Sequence, residues 1–204
     1  MKLQFLASLI PLLGCSLLAA LPVLRVAEHL AASSRSKMVL MTLTIGLSFI
    51  SIDHLSVAVY MRGMVADLSI TTIVMLIAGC YASVFGRTVV NATENVAAGS
   101  LLVAGGVFLY PMSLGWSSFD PYQFGYYPTL LGTLLSALVL IALFKDFFLI
   151  TTCLLACLLA YSYRLLDSNN LWDYLIDPLA VVYGASVLLL TLARQLRRGR
   201  SLEP

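Results

Sequence analysis

The chain has 204 residues, of which 60% are hydrophobic and only 11% are charged. Soluble domains carry about 25% charged residues, so this composition excludes an ordinary water-soluble globular protein. The net charge of +2 is unremarkable, and the distribution of charge along the chain is more informative. We therefore predict an all-α, polytopic helical membrane protein, because backbone polar groups within lipid must be satisfied inside helices.

Seven apolar segments predict about seven transmembrane helices, at about 4–24, 38–60, 68–86, 96–116, 129–144, 147–163 and 175–193. A span needs about 20 residues, so the two segments on either side of Lys145 and Asp146 are short. The alternative for residues 129–163 is a re-entrant or tilted hairpin, so the predicted number of transmembrane helices is six to seven. Residues 1–204 form a single integral membrane domain, in which 194–204 is a short basic tail.

Lysine and arginine are retained on the cytoplasmic side of a membrane, which predicts the orientation. With the tail inside, nine basic residues face the cytoplasm and three face outward. The N-terminus is then outside and the C-terminus is cytoplasmic. We expect a multi-pass protein of the cell membrane, and a bacterial inner membrane from the compact chain and this charge asymmetry. The tail is too short to bind nucleic acid by itself.

Asp53 and His54 are the charged pair that does not lie at an evident segment end. In a helix that starts at Met38, Asp53 lies roughly 22 Å along the axis, within the outer third of the hydrocarbon. A charge deep in the membrane costs about 2.5–3.5 kcal/mol, so it should face protein or a water-filled cavity. Arg62 and Arg164 are the predicted partners of Asp53. One interpretation is a proton-handling, cation-handling or catalytic pocket, and the other is a structural ion pair between the second and sixth helices.

Several carboxylates share the predicted outer face, and with the residues above they complete a candidate polar site: Asp53, His54, Arg62, Asp67, Arg164 and Asp167. Clustered carboxylates could hold Ca²⁺ or Mg²⁺, but no ordered ligand loop is present, so no metal site is predicted. The outer loops are also aromatic, and Trp and Tyr favour the membrane interface.

Small residues recur at four-residue spacing on two predicted helices: Ala78, Ala82 and Gly86 on the third, and Ala156 and Ala160 on the sixth. Such faces let helix backbones approach closely. They predict helix–helix contacts, either within the chain or with a membrane-protein partner or a second copy.

No cofactor is predicted. The last helix has no lysine for a retinal Schiff base, and the two histidines, His29 and His54, map to opposite sides of the membrane, which argues against bis-histidine haem. No phosphate-binding glycine loop or HExxH motif occurs. The four cysteines lie in apolar runs and are interpreted as packing residues.

Three functional hypotheses remain. The first is a small non-catalytic subunit or scaffold that packs against a larger membrane complex for transport, secretion or envelope synthesis. The second is a small solute- or ion-handling module that uses Asp53 and His54. The third is a membrane enzyme acting on a lipid or glycan at the outer face, with Asp53, His54 and the outer aspartates as acid, base or metal ligands.

Overall fold

The computed structural model describes the backbone of residues 2–200 and the side chains of residues 7–198. The fold is all-α, as the sequence predicts, with 78% of the described residues in helices. The ten α-helices are α1 (Lys2–His29), α2 (Ser34–Ser48), α3 (Val57–Val65), α4 (Ile70–Phe85), α5 (Ala92–Pro111), α6 (Gln123–Tyr126), α7 (Thr129–Phe144), α8 (Phe148–Ser162), α9 (Leu171–Leu175) and α10 (Pro178–Arg200), counted over the described backbone. Strands β1 (Ser51–Ile52) and β2 (Leu55–Ser56) form an antiparallel hairpin. A π-helical turn, Met112–Trp116, extends α5.

Three helices are long and apolar enough to cross a membrane within the described part of the chain: Ala7–His29, Ala92–Trp116 and Pro178–Arg198. Helices α4, α7 and α8 are also apolar but have only 15 or 16 residues. At 1.5 Å per residue these shorter helices are about 24 Å long, less than the roughly 30 Å hydrocarbon core. The structure therefore supports a membrane protein.

The prediction of one continuous helix over 38–60 is wrong. Helix α2 begins at Ser34 after the N-cap Ser33, whose hydroxyl accepts a hydrogen bond from Ser36 N, and it ends at Ser48. The following segment forms the β1–β2 hairpin and then α3. The apolar run hides this change, because its β-branched Ile residues suit a strand as well as a helix and a short apolar run does not distinguish the two.

The first and last helices differ from their predicted bounds. Helix α1 continues past residue 24 to His29, with Pro11 and Pro22 inside it. The last predicted helix, 175–193, instead begins at Pro178, which suits the first helical position, and it continues to Arg200. Residues 194–200 of the predicted tail are therefore helical, and residues 201–204 lie outside the described residues.

The helices pack in neighbouring pairs around α4. Helix α4 contacts α1 on one side and α8 on the other, while α7 packs on α8 and α2 on α1. Helix α10 packs mainly along α5. There the backbones touch, since a Cβ on Gly184 would lie only 2.8 Å from the carbonyl oxygen of Gly99. A side chain at either glycine would force the two helices apart.

Contacts between loops define two ends of the helical body. At the end that we call the acidic end, Arg62 contacts Asp167, and Asp177 accepts a hydrogen bond from Ser69 N at 2.7 Å. At the opposite, basic end, Lys37 Nζ donates to Ser83 O at 2.9 Å and Arg25 pairs with Glu28. The acidic end comprises residues 51–69, 112–128 and 163–177, and the basic end comprises residues 25–37, 86–95 and 145–150.

Candidate functional site

Asp53 and His54 form the two-residue turn of the β1–β2 hairpin. Ile52 pairs with Leu55, and the backbone φ angles of Asp53 and His54 are 50° and 73°. Positive φ at both central positions matches the turn whose twist suits a hairpin, and Asp tolerates this conformation better than most residues. Both side chains are exposed. Their predicted location inside a membrane helix is therefore wrong.

The Arg62 guanidinium brings together three of the six residues predicted for the polar site. Its Nη2 donates to Asp67 Oδ2 at 2.8 Å and to Asp167 Oδ2 at 2.6 Å, and its Nε donates to Asp67 Oδ1. The Arg62 and Asp67 side chains are 29% and 27% exposed, whereas Asp167 is 71% exposed. The hydrogen bonds that Arg62 donates to Asp67 raise the pKa of Arg62 above its ordinary value, against the opposing effect of burial. The two charges of the bidentate pair thus stabilise each other.

Local structure positions this ion pair. Arg62 lies in the last turn of α3, which is capped by Ser56, and Asp67 follows a turn at Ala66 with a positive φ of 61°. Asp167 belongs to the loop between α8 and α9. The contact therefore connects the α3–α4 link with the α8–α9 loop.

Asp53 and Arg164 do not join this cluster. Arg164 is exposed and follows the end of α8 with a φ of 51°. No ion pair links Asp53 to Arg62 or Arg164 among the described side chains. Arg62 and Asp167, rather than Asp53 and Arg164, form the ion pair between the α3–α4 link and the α8–α9 loop.

A second polar cluster, which the sequence did not predict, lies at the acidic end. The Tyr122 hydroxyl donates to both oxygens of Asp173 at 2.9 Å, and the Ser168 hydroxyl donates to the same carboxylate. Burial, followed by the bond to Asp173, raises the pKa of Tyr122. Trp172 Nε1 donates to Pro121 O at 3.0 Å. These bonds attach the loop before α6 to the loop around α9.

The aromatic residues of these loops have two different environments. Trp172 is 9% exposed and Tyr174 is fully buried, with its hydroxyl donating to Leu166 O at 3.0 Å. Trp116 and Tyr127 are each 83% exposed. The interpretation of the loop aromatics as an interface belt is therefore wrong for Trp172 and Tyr174, which are packed inside the protein, because their polar groups find backbone acceptors there.

Two buried carboxylates bind helix N-termini. Asp177, 8% exposed, accepts from Ala180 N of α10 at 2.8 Å as well as from Ser69 N. Glu94, 1% exposed, accepts from Ile150 N in the first turn of α8 at 3.1 Å. Helix N-termini stabilise negative charge, which explains how these carboxylates are accommodated. The bond from Ala180 N is a local cap of the helix that follows Asp177, whereas Ser69 N and Ile150 N come from distant parts of the chain, so the sequence alone gave no signal for those two contacts.

The predicted packing residues lie in different environments. Ala160 is buried in the main hydrophobic core and Ala156 packs against it. Ala78 and Ala82 line a cavity of about 500 Å³ between α1, α4, α5 and α10. Gly86 is the C-cap of α4, with a left-handed φ of 66°.

A second cavity, of about 160 Å³, lies between α4, α5, α7, α8 and α9 and is lined mostly by apolar side chains. None of the six residues predicted for the polar site lines either of these two cavities. Over the described residues, no group of three or more His, Cys, Asp or Glu side chains could hold a metal ion.

The fold and these contacts define an all-helical protein with helices that could cross a membrane and with a polar network at one end. Comparison with known proteins gives no match, since no family model, no curated protein and no solved structure matches this chain.

Proposed function

We propose that this chain is a non-catalytic, multi-pass subunit that packs against a larger complex in the bacterial inner membrane. One observation carries the proposal. The residues on which transport or catalysis was expected to depend either neutralise one another, as Arg62, Asp67 and Asp167 do, or lie exposed at a hairpin turn, as Asp53 and His54 do. A transport or catalytic site instead needs its polar groups to converge on a cavity.

The threading that goes with this proposal has seven spans. Seven helices of 15 residues or more occur in the described part of the chain: α1, α2, α4, α5, α7, α8 and α10. The loops between them alternate between the acidic and the basic ends. With the basic end in the cytoplasm, the C-terminus is cytoplasmic, as the excess of lysine and arginine on that side requires.

Outward-facing small residues offer a surface for a partner helix. Gly132 of α7 has open space where a Cβ would be, and Ser136 is exposed one turn later. On α2, Gly46 is likewise open and Thr42 is exposed. Because small residues at four-residue spacing allow close helix approach, these two faces support association with another membrane protein or with a second copy.

Gentle extraction from the native membrane, followed by mass spectrometry of the co-purifying proteins, tests this function. The expected result is a second membrane protein in stoichiometric amount that is retained by Asp53→Asn and His54→Ala variants. Gly132→Leu should release it, while Ala137→Leu, on an exposed part of the same helix, is the matched control. A protein that purifies alone, with an activity that either hairpin variant abolishes, would contradict the proposal.

A further inference from the structure

The cavity of about 500 Å³ is a groove between two helix pairs, and we call it the lateral groove. Helices α1 and α4 form one wall, and α10, which packs along α5, forms the other. From Thr72 to Ala82 the α4 wall extends for about 15 Å at 1.5 Å per residue. Val182 on the rim is 62% exposed, so the groove opens sideways at the protein surface.

The groove is apolar along most of its length and polar at one end. Leucine, methionine, alanine and valine side chains of α1, α4 and α10 line its body. The polar end is formed by Arg25, by Thr88 in the α4–α5 loop, and by Asn95, whose Oδ1 accepts from the Tyr183 hydroxyl at 2.8 Å. This polarity gradient matches an amphiphile with a polar head and an apolar tail.

The charge at the polar end is positive. Arg25 is 54% exposed, and its Nη1 donates to Glu28 Oε2 at 3.1 Å. A guanidinium has five N–H donors, so this contact leaves most of them for a further acceptor. The Ser83 hydroxyl contacts the same Glu28 carboxylate, and Lys37 Nζ donates to the Ser83 carbonyl. Arg25 contacts Glu28 and Lys37 contacts Ser83, so this group of contacts holds two cations and one carboxylate, and the excess positive charge favours an anionic headgroup.

The volume and charge of the groove favour a small amphiphile as the occupant. Its volume of about 500 Å³ lies within the roughly 300–1,000 Å³ of small-molecule sites. The basic end also lies where loops meet the ends of α1 and α4, at the level expected for headgroups in a spanning protein.

We propose that the lateral groove binds an acyl chain of an anionic phospholipid from the surrounding bilayer, with its phosphate at Arg25. The small side chains of Ala78 and Ala82 leave the space that the chain fills. The polar group of Asn95 and Tyr183 faces the glycerol region. This site is independent of the subunit function, because it requires no protein partner.

Native mass spectrometry of the purified full-length protein, titrated with phosphatidylglycerol or phosphatidylcholine, tests the proposal. One phosphatidylglycerol should bind with clear preference over phosphatidylcholine. Arg25→Gln should weaken its binding about tenfold, because it removes a charge-assisted contact to phosphate. Ala78→Leu should abolish phosphatidylglycerol binding, because the larger side chain fills the space in the groove.

Two matched controls keep the result interpretable. The first control, Arg87→Gln, removes a cation that belongs to the basic end but does not line the groove. The second control, Ala137→Leu, enlarges an exposed residue on α7. Both should bind phosphatidylglycerol as the unmodified protein does. Equal binding of the two lipids, or unchanged binding by well-folded Arg25→Gln and Ala78→Leu variants, would overturn the proposal. So would a photo-crosslinker at Ala78 that captures a protein instead of a lipid. If the protein bound phosphatidylglycerol but had no co-purifying protein partner, that result would contradict the proposed subunit function and not the lipid site.

Discussion

At the level of single residues, Arg62 contacts two carboxylates of unequal exposure, which predicts unequal costs when each is removed. Asp67→Asn should lower the free energy of unfolding by about 1.5–3 kcal/mol, because it breaks a bidentate, partly buried pair. Asp167→Asn should cost less than about 1 kcal/mol, since this carboxylate is largely exposed and screened by solvent. Denaturant-induced unfolding in detergent micelles measures both values.

A double-mutant cycle with Arg62→Gln separates the pair from other effects. The coupling energy between Arg62 and Asp67 should exceed that between Arg62 and Asp167. Equal losses for the two aspartate variants would show that exposure does not determine the strength of these contacts.

Glu94 is a buried carboxylate that binds the first turn of α8, which predicts different effects for two substitutions. Glu94→Gln keeps an oxygen that can accept from Ile150 N, whereas Glu94→Ala leaves that amide without its acceptor. The free energy of unfolding should fall by about 1–3 kcal/mol in the alanine variant and by clearly less in the glutamine variant. Thermal unfolding in detergent measures this order, with Glu28→Gln as a control at an exposed carboxylate. A glutamine variant as unstable as the alanine variant would indicate that the charge itself is required.

The sequence could predict some of these contacts and not others. Arg62, Asp67 and Asp167 stood out because charges are sparse in an apolar chain and these lie at segment ends. Asp177 and Glu94 looked like ordinary boundary residues. The bond from Ala180 N to Asp177 is a local helix cap, but the bonds from Ser69 N to Asp177 and from Ile150 N to Glu94 depend on which helix packs nearby, and a single sequence does not contain that information.

At the level of secondary structure, the hairpin turn predicts that glycine at position 54 makes the protein more stable. A residue other than glycine with φ of 73° costs on the order of 1 kcal/mol, and an Asp-Gly pair favours this turn type. His54→Gly should therefore raise the unfolding temperature slightly, and His54→Val should lower it, because a β-branched residue resists positive φ. Thermal unfolding of the purified variants gives the comparison. Greater stability of the valine variant would be incompatible with the turn.

Helix existence was predictable from sequence, but the interruption after α2 was not. The apolar runs of α4, α7 and α8 are bounded by polar or turn residues, so their predicted and observed bounds are close. Between Met38 and Tyr60 the apolar run continues through a turn that carries only Asp53 and His54 as polar markers. Hydropathy reports the apolar character of a segment and not its backbone conformation, so it does not distinguish this hairpin from a helix.

At the level of the whole molecule, the seven-span threading predicts which loops share a side of the membrane. The four native cysteines are buried, so single cysteines introduced into loops should dominate labelling by a membrane-impermeant maleimide. Cysteines at Asp53, Ser118 and Asn169 should react in intact spheroplasts, whereas those at Thr88 and Lys145 should react only after lysis. The loops alternate between the two ends, which is the reason for this expectation.

Lys145 is the decisive position in that experiment. If residues 129–163 formed a re-entrant hairpin that did not cross, a cysteine there would react from the same side as Asn169. Labelling of Thr88 in intact cells would instead reverse the proposed orientation. The cysteine-containing parent, unlabelled before and after lysis, is the control.

The backbone contact between α5 and α10 has a mechanical consequence. Helices that touch through Gly99 and Gly184 have no side chains between them at that point, so we expect a displacement of one helix to carry the other with it. Met75 and Leu149 line both the lateral groove and the smaller cavity. A ligand that shifts either of these two side chains in the groove therefore also reshapes the wall of the smaller cavity.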